Sequence, residues 1–132
     1  FSLGNLRQAQ GQLPEAETAY QRAIALRPDA VTIYNNLGYN LEQQGKWSQA
    51  ITCYQKALEL QPNCLEADVN LGNALHAQGK LSPKQQAYYA QLNGKLGQAR
   101  KKAGDLVTAA VYFQKALELN PNLNEFKTDL PQ

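Results

Sequence analysis

The sequence predicts an all-α fold, an α-solenoid of antiparallel helix pairs, because its pattern repeats along the chain. Leu3-Gly4, Leu37-Gly38 and Leu71-Gly72 recur at a spacing of 34 residues, and a further glycine follows each pair seven residues later. A fixed period of this length is the signature of a repeat architecture. After a shorter gap the same pattern returns at Leu96-Gly97. The length of 132 residues and a hydrophobic fraction of 43% fit one globular domain.

Each repeat is predicted to be a pair of helices joined by a tight turn. Gly45 supplies the turn, since glycine adopts positive φ without steric cost. Pro62 ends the second helix because it cannot donate the next backbone hydrogen bond. Small residues such as Gly38 and Ala50 let the helices approach, while large ones such as Tyr54 fill the space between them. One hairpin cannot bury its own apolar face, so stacked neighbours have to complete the core.

The best-preserved repeat resembles the tetratricopeptide repeat family. The signature positions are Tyr34, Leu37, Gly38, Leu41, Gly45, Ala50, Tyr54, Ala57 and Pro62. The resemblance divides a single domain, residues 1–132, into a truncated first repeat (1–30), a full second (31–64), a shortened third (65–89) and a fourth (90–123). Residues 124–132 are expected to form a C-terminal cap, with Leu123, Phe126 and Leu130 spaced to dock. The family implies a scaffold that binds other proteins, usually through an extended segment in a concave groove.

The third repeat departs from this pattern. Gly79 and Gly104 lie 25 residues apart instead of 34, so nine residues are missing. Ser82-Pro83 is typical of a helix start, with Ser as the N-cap. Apolar residues then recur at three- and four-residue steps, which predicts one fused helix over about 83–103. The alternative is two short helices with a tight turn at Asn93-Gly94.

A fused helix has a consequence for self-association. Such a helix would leave Tyr88, Tyr89, Leu92 and Leu96 without a partner within the chain. An unmatched apolar stripe favours dimerisation, so these four residues are a candidate homodimer surface.

The resemblance also implies which residues line the groove, because the first helix of each family repeat faces it. The candidate ligand-binding residues are Asn5, Asn36, Tyr39, Asn70, Asn73, Lys95, Lys101 and Lys102. An asparagine amide both donates and accepts hydrogen bonds, so it can pair with the backbone of an extended peptide. A row of such amides would hold a peptide without dictating its sequence.

The charge distribution is uneven although the net charge is only +2. The segment from Lys80 to Gly104 holds six basic residues and no acid. We expect it to bias the groove toward acidic peptides. The alternatives are single-stranded nucleic acid bound through this segment, with a tyrosine stacking on a base, or a structural oligomerisation module. The six charges are expected to spread over two or three helix faces, which disfavours nucleic acid.

Several functional classes are disfavoured by the composition. Two cysteines and one histidine are too few for a disulfide framework, a zinc site or a Cys/His nucleophile pair. We therefore expect no enzyme, no cofactor and no metal. No apolar run approaches the ~18 residues of a membrane span, and we expect a reducing, cytoplasmic compartment. The chain has no Met and begins inside the repeat pattern, which suggests a piece of a longer protein.

Overall fold

The computed structural model describes residues 12–123, and every regular element in that range is an α-helix, as predicted. The helices are α1 (Leu13–Leu26), α2 (Val31–Gln43), α3 (Trp47–Leu60), α4 (Leu65–Ala77), α5 (Pro83–Lys102) and α6 (Leu106–Leu119). The chain divides into an N-terminal unit, Phe1–Ala74, and a C-terminal unit, Leu75–Gln132. The expectation of one continuous domain stays a prediction. Among the described residues, no helix is long and apolar enough to cross a membrane.

Helices α2 and α3 of the N-terminal unit pack as the repeat pattern predicts. Gly45, in the turn that joins them, has a φ of +78°, which favours glycine. Gly38 lies against the ring of Tyr54, so closely that a Cβ on Gly38 would stand 2.5 Å from Cε1 of that ring. Tyr54 is fully buried, and its hydroxyl donates a hydrogen bond to Glu42 Oε1 at 3.0 Å. The predicted close approach of helices at the Leu-Gly position is therefore confirmed.

A buried amide links α1 to α2 in the same unit. Asn40 is fully buried, and its Nδ2 donates to the carbonyl of Leu13 at 3.0 Å. Its Oδ1 accepts from Gln44 Nε2 at 2.7 Å, and the same nitrogen also donates to Glu17 Oε1 at 2.9 Å. Lys46 pairs with that carboxylate at 3.1 Å. These bonds satisfy a polar group that would otherwise destabilise the interior.

The C-terminal unit contains the predicted fused helix. Helix α5 runs without a break from Pro83 to Lys102, so the alternative of two short helices is wrong. Ser82 is the N-cap, and it exchanges hydrogen bonds with Gln85 in a complete capping box. Asn93 lies inside the helix, fully buried, and its Nδ2 donates to the carbonyl of Tyr89 at 2.8 Å. That bond satisfies one donor of the amide inside the helix.

The packing of α5 corrects the predicted homodimer surface. Tyr89 is 9% exposed and belongs to a cluster with Leu81, Ala90 and Leu119, against which Leu92 also packs. Leu96 is 4% exposed. The expectation that the stripe lacks a partner within the chain is therefore wrong for these residues.

Of the four residues predicted for that surface, only Tyr88 is exposed, at 53%. Its ring makes an edge-to-face contact with the neighbouring Tyr89. The predicted homodimer surface therefore shrinks to a single tyrosine.

Helix α6 closes the C-terminal unit against α5. Gly97 of α5 contacts Phe113 of α6 in the way that Gly38 contacts Tyr54, with a Cβ placed 2.8 Å from the ring. Leu123 packs against the clusters formed by α5 and α6, which fits the start of a cap. Phe126 and Leu130 lie outside the described residues, so the rest of the cap stays a prediction.

Candidate ligand-binding surfaces

Two surfaces carry the candidate ligand-binding residues, one on each unit. The first, which we call the amide face, consists of Asn36 and Tyr39 on α2 together with Asn70 and Asn73 on α4. The asparagines are half-buried, and Tyr39 is 47% exposed. Asn5, the remaining asparagine predicted for the groove, lies outside the described residues.

The amide face contains one direct bond between adjacent repeats. Asn70 Nδ2 donates to Asn35 Oδ1 at 3.0 Å, and Asn35 is 8% exposed. The bond therefore fixes how the amide of Asn70 is turned. The sequence predicted Asn70 as a ligand residue but not this pairing. The two residues lie 35 apart, one more than the repeat length, which places them on the first helices of consecutive repeats but does not show that their side chains meet.

The second surface is the outer face of α5, which we call the basic stripe. It is formed by Lys84, Tyr88, Gln91, Lys95, Gln98 and Lys102, and all six side chains are exposed. Their spacing alternates between four and three residues, which keeps them on one side of a helix. At 1.5 Å per residue the stripe is about 27 Å long.

The six basic residues lie on more than one face, as expected, but half of them share the basic stripe. Lys84, Lys95 and Lys102 are the three on that face. Lys101, also predicted as a ligand residue, is exposed but lies about 100° around the helix from Lys102. Arg100 is half-buried. The continuous helix is what brings Lys84 and Tyr88 into line with the predicted residues.

Several buried and capping groups show shifted pKa values. Burial, with a smaller effect of Glu17, raises the pKa of Cys53 to about 11, so its thiol is protonated at neutral pH. Burial and Glu42 also raise the pKa of Tyr54. Asp105, the N-cap of α6, accepts a hydrogen bond from the backbone of Thr108 at 3.1 Å, and its pKa is lowered by hydrogen bonding to that residue. Within residues 12–123, no three His, Cys, Asp or Glu side chains group as a metal site would require.

Comparisons with known proteins agree with the repeat pattern. The tetratricopeptide repeat family matches residues 1–63 and again residues 90–123. No curated protein matches the chain. A crystal structure of MamA is 20% identical, with a TM-score of 0.60, and covers 96% of this chain and 80% of its own. A second MamA crystal structure is 20% identical, with a TM-score of 0.62, covering 98% of this chain and 75% of its own.

A third similar structure, titled MamA RS-1 ArsTM double mutant, is 22% identical with a TM-score of 0.63. It covers 95% of this chain and 75% of its own length. Identities this low show the fold alone. The repeats themselves are matched by sequence over most of the chain, and the chain belongs to the tetratricopeptide repeat family, a class of protein–protein interaction scaffolds.

Proposed function

We propose that the chain binds a peptide segment of a partner protein on the amide face, with a preference for acidic ligands. The observation that supports this most is the bond between Asn35 and Asn70. A side chain already held by a neighbour loses little further freedom on binding, so its hydrogen bonds to a ligand cost less entropy. The second N–H and the carbonyl oxygen of Asn70 are the groups we assign to the ligand backbone.

The other residues of the amide face fit the same role. The amides of Asn36 and Asn73 can each donate to a peptide carbonyl and accept from a peptide N–H. Tyr39, about half exposed, offers an apolar ring with a polar end, the type of side chain that anchors many interfaces. This chemistry holds backbone rather than side chains, so we expect the amide face to tolerate varied sequences.

We assign the preference for acidic ligands to Lys95, Lys101 and Lys102 at the C-terminal end of α5, which form a surface of their own on the C-terminal unit. All three are exposed, and the segment from Lys80 to Gly104 contains no acid. Exposed charges of this kind change association rates and partner choice more than affinity. The acidic preference should therefore weaken as salt screens the lysines.

The test is a pull-down in which the purified, immobilised chain is incubated with a lysate of its source organism. The protein and the nucleic acid that the chain retains are both quantified. We expect the double variant Asn36→Ala/Asn70→Ala to lose protein that the wild-type chain retains. Asn63→Ala is the matched control, because Asn63 is an exposed asparagine of the same unit in the turn before α4. Equal retention by wild type and the double variant would refute the proposed function. Retention of nucleic acid alone would favour the basic segment as a nucleic-acid site.

A third variant separates positioning from direct contact. Asn35→Ala removes the bond that orients Asn70 but leaves the amide in place. We expect a partial loss of capture, which Asn35→Asp restores because its carboxylate oxygen can still accept from Asn70. Melting curves of each variant show whether the fold is retained.

A further inference from the structure

We propose that α5 is a continuous docking surface for an acidic helical segment of a partner protein, and that this surface includes Lys84 and Tyr88. The proposal rests on one part of the proposed function, the acidic preference assigned to Lys95 and Lys102, and it adds the partner's chemistry and a longer surface that extends along α5 to Lys84. In a regular repeat array, residues 83–89 would belong to the second helix of one repeat and residues 90–102 to the first helix of the next. Here both parts share one helix axis, so the basic stripe extends from Gln91 toward the N-terminus of α5 for almost two further turns, to Lys84.

The chemistry of the stripe is uniform along its length. Lys84, Lys95 and Lys102 are separated by 11 and 7 residues, which corresponds to about 16 Å and 10 Å along the helix. Gln91 and Gln98 stand between them as hydrogen-bond donors and acceptors. Helix α5 contains no acidic residue, so no carboxylate of its own competes for these lysines. The surface is therefore complementary to a partner that carries carboxylates.

The spacing of the stripe favours a helix as that partner. Steps of four and three residues alternate along the stripe, and their mean of 3.6 residues equals the period of the helix, so the stripe runs straight along α5 and a second helix can lie beside its whole length. An antiparallel partner helix with acids at positions i, i+7 and i+18 would meet Lys102, Lys95 and Lys84 in turn. An apolar residue at i+14 would contact the exposed ring of Tyr88.

Two other occupants fit less well. Among the described residues, the acids of no helix have separations of 7 and 11, so a second copy of this chain supplies no matching face. Binding to a phosphate backbone gains affinity from each phosphate that a lysine or arginine neutralises, and the stripe offers three lysines over about 27 Å. The observations therefore favour an acidic helix from a different protein.

The experiment titrates the full chain with a synthetic helical peptide and follows the backbone amides by NMR. The probe carries glutamates at i, i+7 and i+18 and leucine at i+14, and the control peptide has the same composition with the glutamates turned to three different faces. We expect the aligned peptide to shift amides along 84–102 and to bind about tenfold more tightly than the control peptide. A single-stranded RNA 15-mer is titrated in parallel.

Variants test the part of the surface that only the fused helix provides. We expect Lys84→Glu to lower the affinity for the aligned peptide about fivefold and Tyr88→Ala to lower it about threefold. Lys115→Glu, the same charge reversal on α6, should change this affinity less than twofold. The proposal is overturned if Lys84→Glu and Tyr88→Ala bind like wild type, if the two peptides bind equally or not at all, or if RNA binds more tightly than the peptide.

These outcomes are independent of the capture experiment on the amide face. A chain that needs Asn36 and Asn70 for capture but ignores Lys84→Glu keeps the proposed function and lacks the longer surface. If the asparagine substitutions leave capture unchanged but the chain prefers the aligned peptide, the proposed function on the amide face is refuted and the docking surface on α5 is supported.

Discussion

Replacing Gly38 by alanine tests the interhelical packing on which the fold depends. The new Cβ would lie 2.5, 2.8 and 2.9 Å from three ring carbons of Tyr54, about 1 Å inside ordinary van der Waals contact. Tyr54 is fully buried and bonded to Glu42, so its ring has little room to move. Overpacking costs about 1–3 kcal/mol and a strained Tyr54–Glu42 bond about 1.5 kcal/mol more, while alanine's helix propensity returns about 1 kcal/mol.

The expected result is a loss of about 2–3 kcal/mol in the free energy of unfolding of the N-terminal unit. Hydrogen exchange is the assay, because it resolves the units separately: amide protection in α2 and α3 should fall by about 30- to 160-fold. Tyr54→Leu provides the control, since Gly38→Ala in that background removes the clash and should be neutral or stabilising by up to about 1 kcal/mol. Protection that is unchanged or higher in the single variant would refute the steric reasoning.

Three further predictions concern individual groups. Ser82→Ala removes the capping box with Gln85 and should destabilise the C-terminal unit by about 1 kcal/mol in denaturant unfolding, whereas Ser82→Asp should not. Hydrogen bonding lowers the pKa of Asp105 in the folded chain below its unfolded value of about 3.9, so Asp105 stabilises the fold above that pH and the contribution is lost as the pH falls through the folded pKa. Melting curves from pH 2 to 7 should show a smaller pH dependence of the melting temperature in Asp105→Asn. An unaltered pH dependence would contradict the prediction. Cys53, with its pKa raised to about 11, should react with a thiol reagent at pH 8 about 20-fold more slowly than an ordinary thiol, and urea should abolish the difference.

The fold was largely predictable because the repeat constrains many residues at once. Ala50 and Tyr54 repeat Ala16 and Tyr20 after 34 residues, and all four are buried. Ala109 and Phe113 are the same buried pair after the shortened repeat. The fused helix was also predicted, from the shortened spacing and the Ser-Pro start, although two short helices with a turn at Asn93-Gly94 fitted the same spacing. Its consequence for packing was not. An apolar stripe read from one helix does not show that Leu81 and Leu119 cover it.

The candidate surfaces were predicted only in part. The family pattern led to Asn36, Asn70 and Lys95 because those positions have a known orientation in a regular repeat. It assigned neither Lys84 nor Tyr88 to a ligand surface, because both lie in the shortened third repeat (65–89), where the departure from the pattern leaves their orientation unspecified. The bond between Asn35 and Asn70 depends on the distance between two helices, which sequence spacing alone does not supply.

The continuity of α5 also has a kinetic consequence. Starting a helix is the unfavourable step, with a nucleation penalty of about a thousandfold, whereas adding residues to an existing helix is nearly free. Helix α5 needs one such start where a regular array needs two. With 20 residues it also exceeds the roughly 12–15 below which an isolated helix is marginal in water. Its partner α6 follows after a three-residue turn, so their contacts close a short loop. We therefore expect the hairpin of α5 and α6 to form earliest when the chain refolds.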